Sequence, residues 1–130
     1  MSEQSKRNRA NKRKGYSWES ETCKYFKGAG FAWKRNGQRH GGKDQGDIDT
    51  GDLPLAVQNK DVERISIWKT AKDAQEQADN KQVRDWVILL KRRRMPTGDG
   101  LAVLPIWLYR DMARTYYGKY LDGHPSSLRT

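Results

Sequence analysis

The chain has 130 residues, a formal net charge of +10 and one cysteine, Cys23. This length fits one domain with its own core but not two, and a single cysteine excludes an internal disulfide. The longest apolar run, residues 101–109, is too short to cross a bilayer, so no membrane association is expected. The strong positive charge instead indicates a polyanionic partner such as nucleic acid. Because the chain has one cysteine and no internal disulfide, we expect it to reside in the reducing cytoplasm.

The first 14 residues hold six basic residues and one acid, with almost no apolar side chain to bury. We predict a disordered basic arm over residues 1–14, a folded domain over residues 15–121 and a frayed tail over residues 122–130. The arm is expected to lie along phosphates and give affinity without sequence choice, although a solubilising tail has the same composition. Its cations are Lys6, Arg7, Arg9, Lys12, Arg13 and Lys14.

A first helix is predicted from an N-cap at Ser17 to the glycines at 28 and 30. Helical spacing gives it one face for packing, formed by Trp18, Thr22, Tyr25 and Phe26. Glu19 and Glu21 flank the two edges of this face, and periodicity alone does not choose between them as members of a site. Both acids also suit the helix dipole as surface residues.

Residues 31–35 predict a first strand, and residues 36–45 predict a polar, glycine-rich loop at the rim of a cleft. His40 in this loop could act as an acid for a leaving oxygen, but a lone loop histidine is more often exposed to solvent. Four cations of these two segments are candidates to contact a DNA backbone, namely Lys34, Arg35, Arg39 and Lys43.

Residues 46–60 predict a β-hairpin that turns around Gly51-Asp52. Gln58 and Lys60 are two residues apart, so they point to the same side of the sheet. With this turn, Asp47 falls roughly opposite Gln58, and a carboxylate, an amide oxygen and an ammonium group meet at one place. Oxygen ligands suit Mg²⁺, and a lysine beside the metal can hold or deprotonate a water for attack on a phosphate.

Three other acids compete with Asp47 for this role. Asp49 is two residues further on and could face the same side, while Asp52 fits the turn itself, where aspartate is favoured for local reasons. Asp44 lies just upstream in the loop. We favour Asp47 over Asp49.

After the hairpin, residues 65–68 predict a third strand or its end, and residues 68–79 predict a helix. The helix face expected to pack on the sheet is formed by Trp68, Ala71, Ala74, Gln75 and Ala78. Gln75 lies inside this stripe, where it could reach the cleft and a phosphate or be a satisfied polar core residue.

Residues 85–90 form a continuous apolar run, as expected for a strand covered on both faces. Residues 101–108 predict the return strand, which Pro105 restricts to an edge or a strand end, and residues 111–120 predict a last helix. The basic run after the buried strand favours phosphate contact over a solvated strand exit. Its candidate contacts are Arg92 and Arg93.

The spacing of Asp47, Gln58 and Lys60 resembles the PD-(D/E)XK nuclease superfamily, and within it the small Holliday-junction-resolvase-like endonucleases of phages. The other matching segments are residues 15–19, 30–31, 46–48 and 57–60. The resemblance covers about residues 15–110. It implies an α/β domain with a mixed central β-sheet flanked by helices, in an αβββαβ core, and Mg²⁺-dependent hydrolysis of a DNA phosphodiester.

The resemblance also implies roles for individual residues. Asp47, Gln58 and the carbonyl of Asn59 would bind the metal, Lys60 would position the attacking water, and the family's Gly-x-x-x-Glu spacing selects Glu19 as an assisting acid. The chain departs from the family at Gln58, where glutamate is usual. An amide brings no negative charge, so weaker metal affinity and better activity with Mn²⁺ as a substitute are expected.

The partner implied is DNA, branched as in a four-way junction, cut by a homodimer in the cytoplasm of a host cell if the chain is phage-encoded. Two alternatives stay open. A nicking or restriction-type endonuclease on duplex DNA is the closer one, because branch specificity leaves no readable sequence pattern. A non-catalytic nucleic-acid-binding module on a nuclease scaffold is the other, and Gln58 favours it.

Overall fold

The computed structural model describes residues 3–37 and 44–122 of the chain. They form an α/β domain with a five-stranded mixed sheet and helices on both faces, which confirms the predicted fold class. The elements are α1 (Glu3–Lys27), β1 (Lys34–Arg35), β2 (Ile48–Asp49), β3 (Leu55–Lys60), α2 (Ile67–Lys81), β4 (Asp85–Leu90), a 3₁₀ turn (Thr97–Asp99), β5 (Leu101–Val103), α3 (Ile106–Tyr116) and α4 (Gly118–Leu121). The predicted frayed tail lies almost wholly outside the described residues.

The strands lie in the order β1-β2-β3-β4-β5, with β5 at one edge. The two central strands, β3 and β4, run parallel and pair along their whole length, from Leu55 opposite Asp85 to Lys60 opposite Leu90. All other neighbouring strands are antiparallel. The middle four residues of β3 and of β4 are buried, which confirms the prediction that residues 85–90 are covered on both faces.

Alternation along the strands divides the interior into two cores. The core beneath α1 contains Trp18, Trp33, Ile48, Val57, Val87 and Leu89. The core beneath α2 contains Ala56, Ala74, Ala78, Trp86 and Ile88. Helix α1 is fixed to the sheet by the indole N–H of Trp18, which donates to the carbonyl of Leu89 at 2.9 Å.

Helix α1 begins at Glu3, where the sequence predicted a disordered arm over residues 1–14 and a helix start at Ser17. The difference has a local cause, because the arm is rich in lysine and arginine, which are good helix formers, and Glu3 suits the first turn. The docked turns from Trp18 onward supply the nucleus from which the helix extends. No helix of the described residues is long and apolar enough to cross a membrane.

Two other elements differ from the prediction. Residues 65–66 form no strand; Ser66 is instead the N-cap of α2, and the helix begins at Ile67. The return strand ends at Val103, because Pro105 caps α3, so residues 106–108 are helical rather than extended. Trp68, predicted on the packed face of α2, is 85% exposed.

Candidate active site

A glycine fixes the position of the key acid. Gly46 has φ = +105°, and a Cβ atom there would lie 2.8 Å from the carbonyl oxygen of Val57. This close approach lets the N–H of Asp47 donate to the same carbonyl at 2.8 Å, so that the β2–β3 ladder continues back to Asp47. Asn36 holds the other side, since its N–H donates to the carbonyl of Asp47 at 3.0 Å. Gly46 is therefore required by close packing as well as by its backbone angle.

The hairpin is irregular at Asp47. Ile48 pairs with Val57, and the N–H of Asp47 donates to the carbonyl of Val57 as well, so two residues of this strand face one residue of β3, as in a β-bulge. The backbone of Asp47 thus lies opposite Val57 rather than opposite Gln58. Ile48 and Val57 both lie in the core beneath α1. Gln58 and Lys60 alternate with Val57 along β3 and belong to the other face of the sheet, toward α2. Asp47 contacts the same strand between them, at the backbone N–H of Asn59.

The carboxylate of Asp47 lies in a partly desolvated environment. Its Oδ2 atom accepts a hydrogen bond from the backbone N–H of Asn59 at 2.8 Å. Burial raises the pKa of Asp47 above its ordinary value, and the nearby carboxylate of Asp44 raises it further, while the Asn59 bond and the ammonium group of Lys60 oppose the increase. Both Lys60 and Asp44 are thus close enough for their charges to act on Asp47.

Next to this acid lies an acceptor without a partner. Gln58 is only 6% exposed, and its Oε1 atom makes no hydrogen bond with any described residue. Such an atom is unfavourable in a folded core and calls for an explanation, such as a ligand. The carbonyl of Asn59 points to the same strand edge as its N–H, toward Asp47, because both groups of one residue project to the same side.

A second acid–amide contact joins the loop before β2 to helix α2, and the sequence analysis did not identify it. Asp44 Oδ1 accepts from the N–H of Gly46 at 2.9 Å, and its Oδ2 accepts from Nε2 of Gln77 at 2.9 Å. Gln77 is buried, and its Oε1 atom also lacks a partner among the described residues. The residue could have been found from the helical stripe through Thr70, Ala74 and Ala78, which passes through position 77.

Gln75, which the sequence placed in that stripe, is exposed on α2 instead. Its Oε1 atom accepts from the indole N–H of Trp86 at 3.1 Å, and its amide group donates to Asp79 at 3.0 Å. Gln75 is therefore a satisfied polar residue at the edge of the core rather than a residue of the cleft.

The structure distinguishes the two acids of α1. Glu21 forms an ion pair with Lys91 at 3.3 Å. Glu19 pairs with Arg35, with 3.2 Å between Oε2 and Nε, and its pKa is raised by burial and by the charge of Asp47 while Arg35 lowers it. Glu19 is thus the acid of α1 that interacts electrostatically with Asp47. Arg35, predicted to contact DNA, neutralises Glu19 in this structure.

The competing acids of the hairpin have local roles. Asp49 Oδ1 accepts from the N–H of Gly51 at 2.9 Å, and its Oδ2 atom lies 3.9 Å from the ammonium group of Lys34. Asp52 is exposed in the turn. Lys81 of α2 binds both ends of this turn, since its ammonium group donates to the hydroxyl of Thr50 and to the carbonyl of Leu55. These contacts leave Asp47 as the acid beside Gln58.

The predicted DNA-contacting cations are spread over several surfaces. Arg92 is exposed, whereas Arg93 lies 3.7 Å from the buried carboxylate of Asp61. Lys6 pairs with Glu3 at 3.6 Å on the exposed surface of α1. Arg9 is exposed there as well. The side chains of Arg7, Lys12, Arg13 and Lys14, and all of His40, Arg39 and Lys43, lie outside what the structure describes.

The donors that this site could offer a cation are all oxygen atoms, from Asp47, Gln58 and the carbonyl of Asn59, and oxygen suits Mg²⁺. In residues 3–37 and 44–122, no three side chains of the His, Cys, Asp or Glu type come together as a metal site. One carboxylate with two neutral oxygens nevertheless fits a hard divalent ion, at lower affinity than a site with two carboxylates.

Searches of protein-family models, of curated proteins and of solved structures find no match for this chain. The resemblance to PD-(D/E)XK nucleases therefore rests on the motifs and their geometry alone.

Proposed function

We propose that this chain is a metal-dependent endonuclease that hydrolyses a phosphodiester bond in DNA, with branched DNA as its substrate. The observation that carries the proposal is the approach of the Asp47 carboxylate to β3 at Asn59, between Gln58 and Lys60, where the buried amide oxygen of Gln58 lacks a partner among the described residues. A half-buried carboxylate with a raised pKa beside a lysine is typical of a functional site. The net charge of +10 supports a nucleic-acid substrate.

Asp47, the Gln58 amide oxygen and the Asn59 carbonyl would hold Mg²⁺ or Mn²⁺. When bound, the ion would stabilise negative charge on the phosphate and lower the pKa of a water molecule. Lys60 would orient that water and donate to a phosphate oxygen. The water's oxygen then forms the new bond to phosphorus, one P–O ester bond breaks, and the departing oxygen takes up a proton.

Glu19 has a supporting role in this proposal. Its carboxylate lies close enough to Asp47 to affect the charge of the site, but it is bound by Arg35 at 3.2 Å. This pairing removes one negative charge that would otherwise repel a phosphate. Glu19 would therefore tune the charge of the site, and it would assist at the metal only after Arg35 moves to a DNA phosphate.

A nuclease that resolves a junction makes two symmetric cuts, which a C2 homodimer supplies. The surface that best fits such a dimer is the exposed apolar stripe of α3, formed by Ile106, Tyr109, Met112 and Tyr116. A groove of about 520 Å³ adjoins it. A stable interface buries about 800 Å² on each partner, so the stripe and the groove would have to act together.

Charge supports this choice of surface. Two copies of a chain with a net charge of +10 repel each other over most of their surface. Around α3, however, arginines are paired within the chain, Arg84 with Asp111 at 3.2 Å and Arg114 with Asp122 at 2.9 Å.

The candidate site is distant from this surface. Arg84 adjoins the first residue of β4, whereas Lys60 lies at the opposite end of the central strands, about 17 Å away. Pairing through α3 would leave both sites open to DNA.

The direct test is cleavage of a four-way junction and of a linear duplex of the same sequence in Mg²⁺, Mn²⁺ and EDTA. We expect metal-dependent cutting of the junction, faster in Mn²⁺, that is lost in Asp47→Asn. Asp52→Asn is the matched control, because it removes an exposed turn acid from the same hairpin. Equal cutting of the linear duplex would favour the restriction-type alternative.

The non-catalytic binding module remains the second candidate, and the neutral Gln58 is the observation that favours it. In that case the chain would bind junction DNA equally well in EDTA and in metal. No DNA would be cut in either ion, and Asp47→Asn would leave binding unchanged.

A further inference from the structure

Trp68 is an exception among the five tryptophans of the chain. Its side chain is 85% exposed, whereas Trp18, Trp33 and Trp86 are each 8% exposed or less, and Trp107 is partly buried beneath Arg84. A large aromatic ring left in water contributes nothing to the core of this protein. Tryptophan is enriched among the residues that carry most of the binding energy of interfaces.

The position of Trp68 relates it to the candidate active site. Helix α2 runs antiparallel to β3, since Lys81 near its end donates to the carbonyl of Leu55 at the start of that strand. The beginning of α2, with Trp68 in its first turn, consequently lies at the Lys60 end of β3. Trp68 and Lys60 thus belong to the same end of the sheet.

Two loops meet at this end. The N–H of Lys91 donates to the carbonyl of Lys60 at 2.9 Å, and Arg93 pairs with Asp61 at 3.7 Å. The loop from β3 to α2 and the loop that leaves β4 therefore lie side by side and form one continuous rim next to the site.

The rim combines the aromatic ring with positive charge. We call it the Trp68 rim, and it consists of the exposed residues Val62, Arg64, Trp68, Lys69, Lys72 and Arg92. Lys72 is one helical turn after Trp68 and shares its side of α2. Glu63 is the exposed acid of the same loop, so cations outnumber acids on this surface.

An exposed aromatic ring among cations is the surface that binds unpaired nucleotides, because a base stacks on the ring while the cations contact the backbone. The bases of an intact duplex are already stacked and are not available to a side chain at the protein surface. At a branch point, by contrast, a base can leave its stack.

We propose that Trp68 stacks on an unpaired or splayed nucleobase next to the cleaved phosphate and is the residue that makes the protein prefer branched over linear DNA. This inference rests on the proposed function, because it assumes that DNA lies across the Lys60 end of the sheet. It assigns branch recognition to a residue outside the metal site.

A binding experiment in EDTA tests the inference without requiring cleavage. Tryptophan fluorescence is titrated with an oligonucleotide of unpaired thymines, with a four-way junction and with a linear duplex. Since Trp68 is the most exposed tryptophan, we expect strong quenching by unpaired DNA, and its loss in Trp68→Phe with binding largely retained. Trp68→Ala should weaken junction binding about 5- to 150-fold and duplex binding less than about twofold.

Lys72→Ala is the matched control, because it removes a cation of the same rim and should weaken the binding of both DNA forms equally. The inference is overturned if Trp68→Ala binds junction and duplex as the parent chain does, or loses both to the same extent. A change in oligomeric state caused by Trp68→Ala would also overturn it, since the ring would then serve an interface between copies.

The outcomes separate this inference from the proposed function. If the parent chain cuts junctions and Trp68→Ala keeps the same preference over linear duplex, only the stacking role fails. If no DNA is cut in any metal but Trp68-dependent binding of unpaired bases is found, the nuclease proposal fails and the stacking role stands. If no DNA is bound at all, both fail.

Discussion

Replacing Gln58 by glutamate tests the candidate metal site, because it adds one charge at nearly constant shape. Gln58 is 6% exposed, its Oε1 atom has no partner among the described residues, and the half-buried Asp47 contacts the next residue of the strand, Asn59. Burial, which already raises the pKa of Asp47, would also raise the pKa of a glutamate at position 58. The negative charge of Asp47 would raise the pKa of the new carboxyl group further. We expect Gln58→Glu to destabilise the metal-free protein at neutral pH.

The magnitude follows from the change in pKa. Burial and a like charge together raise a carboxyl pKa by about two units, which corresponds to about 3 kcal/mol. The introduced group binds its proton more tightly in the folded than in the unfolded protein. The loss of stability is therefore complete above the raised pKa and disappears as the pH falls toward the unfolded value. In EDTA we expect a melting temperature about 10 °C below that of the parent at pH 7, and a difference that shrinks steadily toward pH 4.5.

Divalent ions should reverse the order of the two melting temperatures, so that Gln58→Glu melts above the parent chain. An ion that binds only the folded protein stabilises it by about 2.7 kcal/mol when present at 100 times its dissociation constant. Two carboxylates attract the ion more strongly than one, so Mg²⁺ and Mn²⁺ should raise the melting temperature of Gln58→Glu more than that of the parent chain. The cleavage rate of Gln58→Glu should likewise exceed that of the parent chain.

The assay is thermal unfolding followed by circular dichroism, with and without each metal, at several pH values. Gln82→Glu is the matched control, because Gln82 is an exposed amide at the C-cap of α2. The reasoning is refuted if Gln58→Glu melts with the parent chain in EDTA and neither ion changes either melting temperature. Position 58 would then not be part of a metal site.

Four further predictions concern other parts of the molecule. Lys60→Ala should lower cleavage by about 10²-fold or more while junction binding stays nearly constant, and a parallel loss of binding would reduce Lys60 to a phosphate contact. Gly46→Ala should destabilise the protein by about 1–3 kcal/mol in urea unfolding and abolish cleavage, because a Cβ atom at this positive φ meets the Val57 carbonyl. Deleting residues 2–14 should weaken binding to all DNA shapes alike and reduce the salt dependence of binding; a selective loss for one branched substrate would show that the arm reads structure. Met112→Glu should shift the protein toward monomers in sedimentation and leave single nicks in place of paired cuts, whereas an unchanged dimer would place the interface elsewhere.

The central hairpin was predictable from the sequence because its rules are local. A two-residue period fixes which side chains share a face, so the common side of Gln58 and Lys60 followed from their spacing. The irregular pairing at Asp47 did not follow from it. The continuous apolar run of β4 likewise predicted a strand buried on both faces, because only such a strand needs apolar residues on both of its sides. The α/β class followed from the order of these elements.

Contacts between distant segments were not predictable in this way. The hydrogen bond between Asp44 and Gln77 joins residues 33 positions apart, and it depends on how α2 lies on the sheet. The same packing decided that Gln77 is buried and Gln75 exposed, although both lie near the stripe predicted from periodicity. The strand predicted at residues 65–68 was wrong because two isoleucines around Ser66 imitate the alternation of a strand, whereas α2 begins within one residue of its predicted start.

Several unfavourable features of the described structure lie near Asp47. Asp47 is half-buried with a raised pKa, and the amide oxygens of Gln58 and Gln77 are buried without partners among the described residues. Two other buried atoms without partners, Trp33 Nε1 and Asn59 Oδ1, lie beneath α1. Each of these lowers the stability of the folded chain, yet the cores on either side of the sheet are apolar. Apolar residues in place of Asp47, Gln58 and Gln77 would leave no buried polar atom unpaired at these positions and would favour the folded chain. A ligand that binds the oxygen atoms of Asp47 and Gln58 would offset these unfavourable terms, and a divalent cation together with a DNA phosphate has the charge to do so.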